Sequence, residues 1–431
     1  MSAAWSTLPT SYSSAGYDAM APAPRNYLIV TASYWGFTLT DGALRMLVLL
    51  YFFKLGYSPF TLAFLFLLYE LAGILANLGG GWLVSRFGIP RMLMIGQLLQ
   101  IAGLAMLSAL DPAWSTVLAV AWVVGAQGIA GLAKDFTKTA SKSAIKATSA
   151  EGAGQLFRWV AWFTGSKNAM KGLGFFAGGL LLQVLGFRGA LWLMAALIAA
   201  ILVLGLLSLP PELGKAKASK SVRELFAKSR GVNLLAAARI FLFGARDVWF
   251  VVGLPVFLSV NGWSFVEVGA FLAAWTIAYG VVQAAAPRLV ARSADGLSRE
   301  VPAARTWALV LVAIPIVLAL ALRLGQVPRA DLVVATGIAL FGLAFAVNSS
   351  LHSYLILAYA GSEKAAEDVG FYYAANASGR LIGTLLSGLL YQVGGMTGCL
   401  VGSAAMLALC WLITLLLPTR VGEPAMADQP A

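Results

Sequence analysis

The chain has 431 residues, of which 60% are apolar and 11% are charged, and its mean hydropathy is +0.83. Soluble domains carry roughly 25% charged residues, so this composition excludes a soluble protein and indicates one that crosses a membrane several times. Thirty lysines and arginines against 18 acids leave a net charge of +12. We therefore ask where along the chain this excess of positive charge lies.

Twelve apolar runs are long enough to cross a bilayer as helices, which takes about 20 residues each. They predict an all-α membrane protein with spans at 26–53, 59–84, 90–110, 113–134, 155–183, 188–209, 233–259, 264–287, 304–323, 332–358, 370–393 and 397–417. The predicted segments are a polar leader at 1–25, a six-helix bundle at 26–209, a central loop at 210–232, a second six-helix bundle at 233–417 and a tail at 418–431. The leader lacks the basic and apolar regions of a signal peptide.

The basic residues of the loops predict the orientation. If the N-terminus lies in the cytoplasm, the cytoplasmic segments hold 20 lysines and arginines and the outer segments hold four. This bias predicts that both termini are cytoplasmic. Six of the 20 lie in the central loop, where they retain the loop inside or bind anionic headgroups of membrane lipids.

The two predicted bundles repeat each other in sequence. An offset of 206 aligns Asp41 with Asp247, and an offset of 209 aligns Lys171 with Arg380. Further matches at these offsets are Gly56 with Gly262, Ser58 with Ser264, Tyr69 with Trp275 and Gly186 with Gly395. Parallel six-helix repeats are typical of transporters whose ligand binds between the halves, near the midplane.

Ionisable residues within the predicted spans mark candidate binding sites, because they are expensive to place in a membrane. The basic ones are Arg45, Lys167, Lys171, Arg239, Arg246 and Arg380, and the acidic ones are Asp41, Glu70 and Asp247. Six cations against three acids favour an anionic ligand. Five of the cations are predicted to bind substrate: Arg45, Lys167, Lys171, Arg246 and Arg380.

Lys167 and Lys171 are the strongest indication of a binding site. Two like charges four residues apart share one face of a helix and repel each other, so they need an anionic partner. Their arrangement suits a phosphate or arsenate group held between ammonium and guanidinium donors.

The three acids are candidate proton carriers. Asp41 and Arg45 lie four residues apart and can pair, so a structural ion pair is an equally good interpretation. Glu70 has no cation one turn away on its own helix, and a neutral structural acid is equally possible there. Arg246 and Asp247 are neighbours about 100° apart on a helix, so they cannot both serve one partner from one face.

Lysines recur every four residues at the end of the fourth span, which predicts that this helix continues into the cytoplasm. The stripe consists of Lys134, Lys138, Lys142 and Lys146. It either gathers anions at the inner mouth of the transporter or anchors the helix by its positive charge.

Catalytic and metal-binding residues are scarce. The only histidine, His352, has no nucleophile nearby in sequence, and the two cysteines, Cys399 and Cys410, lie in one apolar run. Because a catalytic base needs a nucleophile or an oriented partner, we expect no enzyme activity, no cofactor and no metal site.

The segment GWLVSRFGIPR at 81–91 resembles the loop between helices two and three of the major facilitator superfamily. The residues that carry the match, and that the resemblance assigns to a conformational loop, are Gly81, Arg86, Gly88 and Arg91. Ser85 stands where that superfamily usually has aspartate, which weakens any latch that depends on the carboxylate.

A narrower resemblance covers nearly the whole chain. The segments NYLIVTASYWGFTLTDGALR, SKSAIK, TGSKNAMKGLGFF and FLFGARDVWFVV, at 26–45, 141–146, 164–176 and 241–252, are similar to ArsJ-type organoarsenical efflux permeases. The resemblance implies export of 1-arseno-3-phosphoglycerate, which glyceraldehyde-3-phosphate dehydrogenase forms when arsenate replaces phosphate. Export of this compound would give arsenate resistance.

The expected protein is a monomer in the cytoplasmic (inner) membrane of a bacterium, with no nucleic-acid partner. The alternative is an organophosphate/phosphate antiporter, because it would use the same cationic cavity. A cationic-drug exporter is disfavoured, since its cavity should be net acidic.

Overall fold

The computed structural model describes residues 22–148, 153–210, 229–290, 293, 296–325, 328–360 and 365–419. Within these ranges every regular element is a helix, which confirms the predicted all-α class. The helices are α1 (Pro22–Lys54), α2 (Pro59–Phe64), α3 (Leu67–Phe87), α4 (Ile89–Ser108), α5 (Thr116–Thr148), α6 (Ala153–Ser208), α7 (Arg230–Phe250), α8 (Gly253–Val260), α9 (Phe265–Leu289), α10 (Glu300–Leu324), α11 (Ala330–Tyr359) and α12 (Ala365–Leu415).

Ten segments of the described chain are long and apolar enough to cross a membrane. Helices α2 and α3 form one of them, and α7 and α8 form another. Two segments, within α6 and α12, have 43 and 48 residues, about twice the length that one crossing needs. Each contains two of the predicted spans, so the ten segments accommodate the twelve predicted crossings.

Glycines break the two long helices at their centres. Gly186 in α6 has φ 66° and ψ −178°, and Gly395 in α12 has φ 58° and ψ −152°. Beyond the break in α12, the backbone of Gly398 lies against the carbonyl oxygen of Leu390. In a straight helix eight residues span about 12 Å, so this contact requires a sharp bend at Gly395.

The sequence repeat corresponds to repeated local structure. Gly56 and Gly262 both end a span with positive φ, 83° and 90°. Ser58 and Ser264, two residues further on, both cap the following helix with a side-chain oxygen that accepts a backbone N–H. Matching residues therefore make the same turn in each half, as parallel repeats predict.

Contacts between the halves run between α6 and α9 on one side and between α12 and both α2 and α3 on the other. Small residues allow the close approach: Gly172 of α6 lies against Ala273 of α9, and Gly388 of α12 lies against Pro59. The exact domain boundaries stay predictions, because most of the leader, the central loop and the tail lies outside the described residues.

Apolar packing joins the halves on one side of the membrane. Away from the central loop, a single cluster contains Phe52 at the end of α1 and Leu258 at the end of α8. Beside the central loop, Met92 belongs to a cluster of the first half and Val301 to a separate cluster of the second half. Among the described residues, buried apolar side chains of the two halves therefore belong to one cluster only on the side opposite the central loop.

We expect Gly395→Ala to lower the free energy of unfolding by about 1–3 kcal/mol, because its backbone conformation is essentially restricted to glycine. The melting temperature of the full-length protein in detergent measures this effect. Gly394→Ala is the matched control, since Gly394 has no positive φ and open space around its Cα. Equal melting temperatures for the two variants would contradict this assignment.

Candidate functional site

Glu70 joins helices from both halves. Its Oε1 accepts a hydrogen bond from Arg45 Nη1 of α1 at 2.8 Å and from Arg380 Nη2 of α12 at 2.7 Å. Glu70 is 1% exposed. The sequence shows no cation near Glu70 on its own helix, but two guanidinium groups reach it from other helices. Glu70 is thus placed as the shared ion-pair partner of two arginines, and not as an isolated acid.

Asp247 makes the second set of ion pairs. Its Oδ1 accepts from Arg246 Nη2 at 2.5 Å, and its Oδ2 lies 3.4 Å from Arg380 Nε. Arg246 and Asp247 thus pair with each other. Backbone directions about 100° apart do not separate them, because the long arginine side chain folds back onto its neighbour.

Asp41 is bound by a neutral group. Both of its oxygens accept from the Tyr69 hydroxyl, at 2.7 and 2.9 Å. The considered ion pair with Arg45 does not form, because that guanidinium turns towards α3, where Glu70 accepts from it. The rings of Phe66 and Tyr69 also face the Arg45 guanidinium, at 5.1 and 5.5 Å from their centroids.

Lys171 has no carboxylate within ion-pair distance among the described residues. Its ammonium lies 5.5 Å from the ring centroid of Phe175. Electrostatically it is repelled by three arginines and attracted by Asp41. Those arginines are Arg45, Arg246 and Arg380. One turn away on α6, Lys167 is half-buried. Lys171 is itself half-buried, so it is a predicted binding residue whose ammonium is open to a ligand.

Two residues that the sequence placed in the cytoplasm belong to the membrane site. The Lys134 ammonium lies 3.8 Å from the ring centroid of Tyr69 and 3.5 Å from Asp135, which is 2% exposed. Lys138 pairs with Asp135 at 2.9 Å and donates to Asn77 Oδ1 at 3.1 Å. The count of three embedded acids therefore omitted Asp135. Its position beside Lys134 in the sequence was the available signal.

The rest of the predicted stripe is less informative. Helix α5 continues to Thr148, as the lysine spacing predicts. The side chains of Lys142 and Lys146 lie outside the described residues. A role for the stripe in gathering anions stays a prediction.

These charged residues form what we call the central cluster. Its described members are the cations Arg45, Lys134, Lys138, Lys171, Arg246 and Arg380 and the acids Asp41, Glu70, Asp135 and Asp247. Six cations and four carboxylates leave an excess of two positive charges among the described residues. Buried charges that lack a partner are strongly destabilised, so this arrangement is suited to an anionic ligand.

The predicted conformational loop connects α3 and α4. Gly88 caps α4 with φ 84°, while Arg86 and Arg91 are exposed. Gly81 lies in α3, and its surroundings are outside the described part of the chain. The role of this loop stays a prediction. Among the described residues, no group of histidine, cysteine or acidic side chains is placed to hold a metal.

A multi-pass helical protein with repeated halves and a charged site between them has the architecture of a secondary transporter. Residues 27–384 match the family model "Major Facilitator Superfamily". The chain belongs to this family, whose members are membrane transporters.

Solved structures of transporters have a similar fold. The human organic anion transporter MFSD10 (TETRAN) aligns with a TM-score of 0.63 and 16% identity, over 92% of this chain and 100% of that one. The nucleoside transporter NupG gives 0.68 and 14%, over 91% and 98%. A POT family transporter in complex with a thioalcohol-conjugated peptide gives 0.70 and 14%, over 91% and 95%. At these identities the likeness shows the fold alone. No curated protein matches the chain.

We expect Glu70→Gln to destabilise the ligand-free protein by about 3–5 kcal/mol, because two buried guanidinium groups lose their shared carboxylate. Inorganic phosphate should then raise the melting temperature of this variant more than that of the wild type, since a bound anion replaces the lost charge.

The control is Glu267→Gln, an exposed acid whose bonds are to Ser264 in a helix cap. This change should leave the phosphate effect as in the wild type. A phosphate effect of the same size in Glu70→Gln and the wild type would show that Glu70 does not hold the place of an anion.

Proposed function

We propose that the chain is an alternating-access efflux transporter that exports 1-arseno-3-phosphoglycerate from the cytoplasm and so confers arsenate resistance. The observation that carries the proposal is Lys171, a half-buried ammonium that has no carboxylate within ion-pair distance among the described residues and that three arginines repel. It provides a binding position for an oxyanion that no described carboxylate occupies.

The donors of the central cluster suit a ligand with an anionic group at each end. Guanidinium groups bind carboxylate, phosphate and arsenate oxygens through paired N–H donors, and an ammonium acts as a point charge. Lys171 and Arg45 belong to the first half, and Arg246 and Arg380 belong to the second. We propose that each half binds one end of the ligand.

The apolar packing supports a route from the central-loop side. The halves share one buried cluster opposite the central loop, whereas their clusters beside it are separate. We place the central loop and both termini in the cytoplasm of a bacterium, in its inner membrane, on the excess of basic residues in those segments. A ligand would then reach the central cluster from the cytoplasm, as an exporter requires.

The supply of the ligand follows from the same proposal. Glyceraldehyde-3-phosphate dehydrogenase would be the functional partner that makes it, membrane lipids would surround the transporter, and the transporter would act as a monomer. The same donors bind phosphate as well as arsenate, so an organophosphate/phosphate antiporter is the competing function. Transport of 3-phosphoglycerate by the purified protein would favour that alternative.

We expect Lys171→Ala to reduce uptake of labelled 1-arseno-3-phosphoglycerate by at least about tenfold, since a hydrogen bond to a charged group contributes about 1.5–3 kcal/mol. Inside-out vesicles measure this uptake directly, with 3-phosphoglycerate tested in parallel. Cells that make the organoarsenical should lose arsenate resistance with this variant while the protein level stays normal.

Lys54→Ala serves as the matched control, because Lys54 is exposed at the end of α1 and lies outside the central cluster. It should transport as the wild type does. Full resistance and normal uptake in Lys171→Ala would overturn the assignment of the site.

A second prediction concerns proton coupling. Among the embedded acids, Asp41 accepts from a tyrosine hydroxyl and from no described cation, so it can take up a proton without breaking an ion pair. We expect Asp41→Asn to remove the stimulation of uptake by an acidic interior in inside-out vesicles, while uptake without a pH gradient continues.

Asp331→Asn is the control for this experiment. Asp331 lies at the start of α11, outside the central cluster, and pairs with Arg329. It should keep the stimulation by the pH gradient. If Asp41→Asn keeps that stimulation too, Asp41 does not carry the proton.

A further inference from the structure

Arg239, a buried cation, lies outside the central cluster. Arg239 on α7 is 4% exposed and has no carboxylate within ion-pair distance among the described residues. Its Nε donates to Asn376 Oδ1 at 3.0 Å, and its Nη1 donates to the carbonyl and hydroxyl oxygens of Ser349 at 3.1 and 3.3 Å. No described residue accepts from Nη2. The charge is thus held by neutral groups, with donors to spare.

Aromatic rings enclose the same guanidinium. It lies 3.9 Å from the ring centroid of Phe243 and 4.9 Å from that of Tyr372. Ring faces attract a cation, but they do not neutralise it. A buried guanidinium in this position remains costly until an anion reaches it.

Unsatisfied polar groups lie on the stretch of α11 that contacts Arg239. Asn348, one residue before Ser349 and one turn before His352, has no partner for either side-chain atom, and neither ring nitrogen of His352 has one. The Tyr372 hydroxyl interacts with the Ser353 side chain. The side chains of Asn348, His352 and Tyr372 are fully buried, and the charge of Arg239 acts on both His352 and Tyr372.

Each of these groups can donate a hydrogen bond. The amide N–H₂, one imidazole N–H, the phenolic O–H and the guanidinium are the donors, while the amide oxygen and the second imidazole nitrogen accept. Buried water would satisfy some of them, but it would leave the charge of Arg239 without a counter-ion. A small oxyanion supplies both the acceptors and the negative charge, and Nη2 of Arg239 can donate to one of its oxygens while Nε and Nη1 keep their bonds to Asn376 and Ser349.

We propose that Arg239, Asn348, His352 and Tyr372 form a second anion site, which binds one oxyanion of the phosphate or arsenate type. Arg246 of the central cluster lies seven residues further along α7, about 10 Å away along the helix. The ring of Phe243 lies between the two guanidinium groups, 3.9 Å from Arg239 and 4.7 Å from Arg246. The second site therefore adjoins the central cluster on its central-loop side.

This placement relates the site to transport under the proposed function. Arg239 lies nearer the central loop than Arg246 does on α7, so an anion bound there would lie on the central-loop side of the central cluster. The site itself does not depend on which organic anion the protein carries.

The test titrates the purified full-length protein with inorganic phosphate in a calorimeter. We expect Arg239→Gln to bind one phosphate fewer per chain than the wild type, or to bind it at least about tenfold more weakly. Arg305→Gln is the matched control, because Arg305 binds backbone carbonyls at the end of α12. It should bind phosphate as the wild type does.

His352→Leu keeps the test decisive if Arg239→Gln fails to fold. This change removes an unsatisfied buried group, so the protein should be at least as stable as the wild type, and it should still lose the second phosphate. Wild-type phosphate binding in His352→Leu, or in a folded Arg239→Gln, would overturn the proposal.

3-Phosphoglycerate, titrated in parallel, separates the two sources of the oxyanion. Loss of binding in Arg239→Gln for phosphate alone assigns the site to the free ion, whereas loss for both assigns it also to the phosphate of an organic ligand. Failure of organoarsenical uptake in vesicles, with the second phosphate still bound, would refute only the proposed cargo.

Discussion

Oε1 of Glu70 accepts from guanidinium groups of both halves, Arg45 at 2.8 Å and Arg380 at 2.7 Å. Charges interact strongly in a site that contains little water. The Glu70 carboxylate therefore links the two halves of the protein where the charged residues lie. The helices come close enough because Gly73, one turn beyond Glu70, lies near Ala377, one turn before Arg380. An anion that binds Arg380, as the proposed function requires, would have to compete with Glu70 for this guanidinium.

Much of the fold was predictable because span length and apolar composition are local properties. The sequence repeat also indicated the bends at Gly186 and Gly395, since both halves place a glycine at the same point. It did not indicate the break between α2 and α3 or that between α7 and α8. The residues at those breaks are apolar like their neighbours. Because no proline or charged residue stands at the breaks themselves, the amino-acid composition there gives no signal for the interruption.

The members of the central cluster were more predictable than their pairings. Spacing along one helix shows which residues share a face, and it suggested Asp41 with Arg45. It contains no information on the neighbouring helix, from which Tyr69 reaches Asp41 and Glu70 reaches Arg45. Asp135 was missed for another reason: a run of lysines resembles a cytoplasmic anchor, whereas the helix places its first members within the membrane.

The pairings also break the symmetry of the repeat. Arg380 binds Glu70 and Asp247, while Lys171, its repeat equivalent, has no described acid partner. Tyr69 carries a hydroxyl that binds Asp41, whereas its equivalent Trp275 donates to a backbone carbonyl of α11. Asp247 is thus left to the arginines. Under the proposed function, one end of a dianion would bind Lys171 directly, whereas its other end would reach Arg380 only by displacing a carboxylate. This order would couple full occupancy of the site to a rearrangement across the interface.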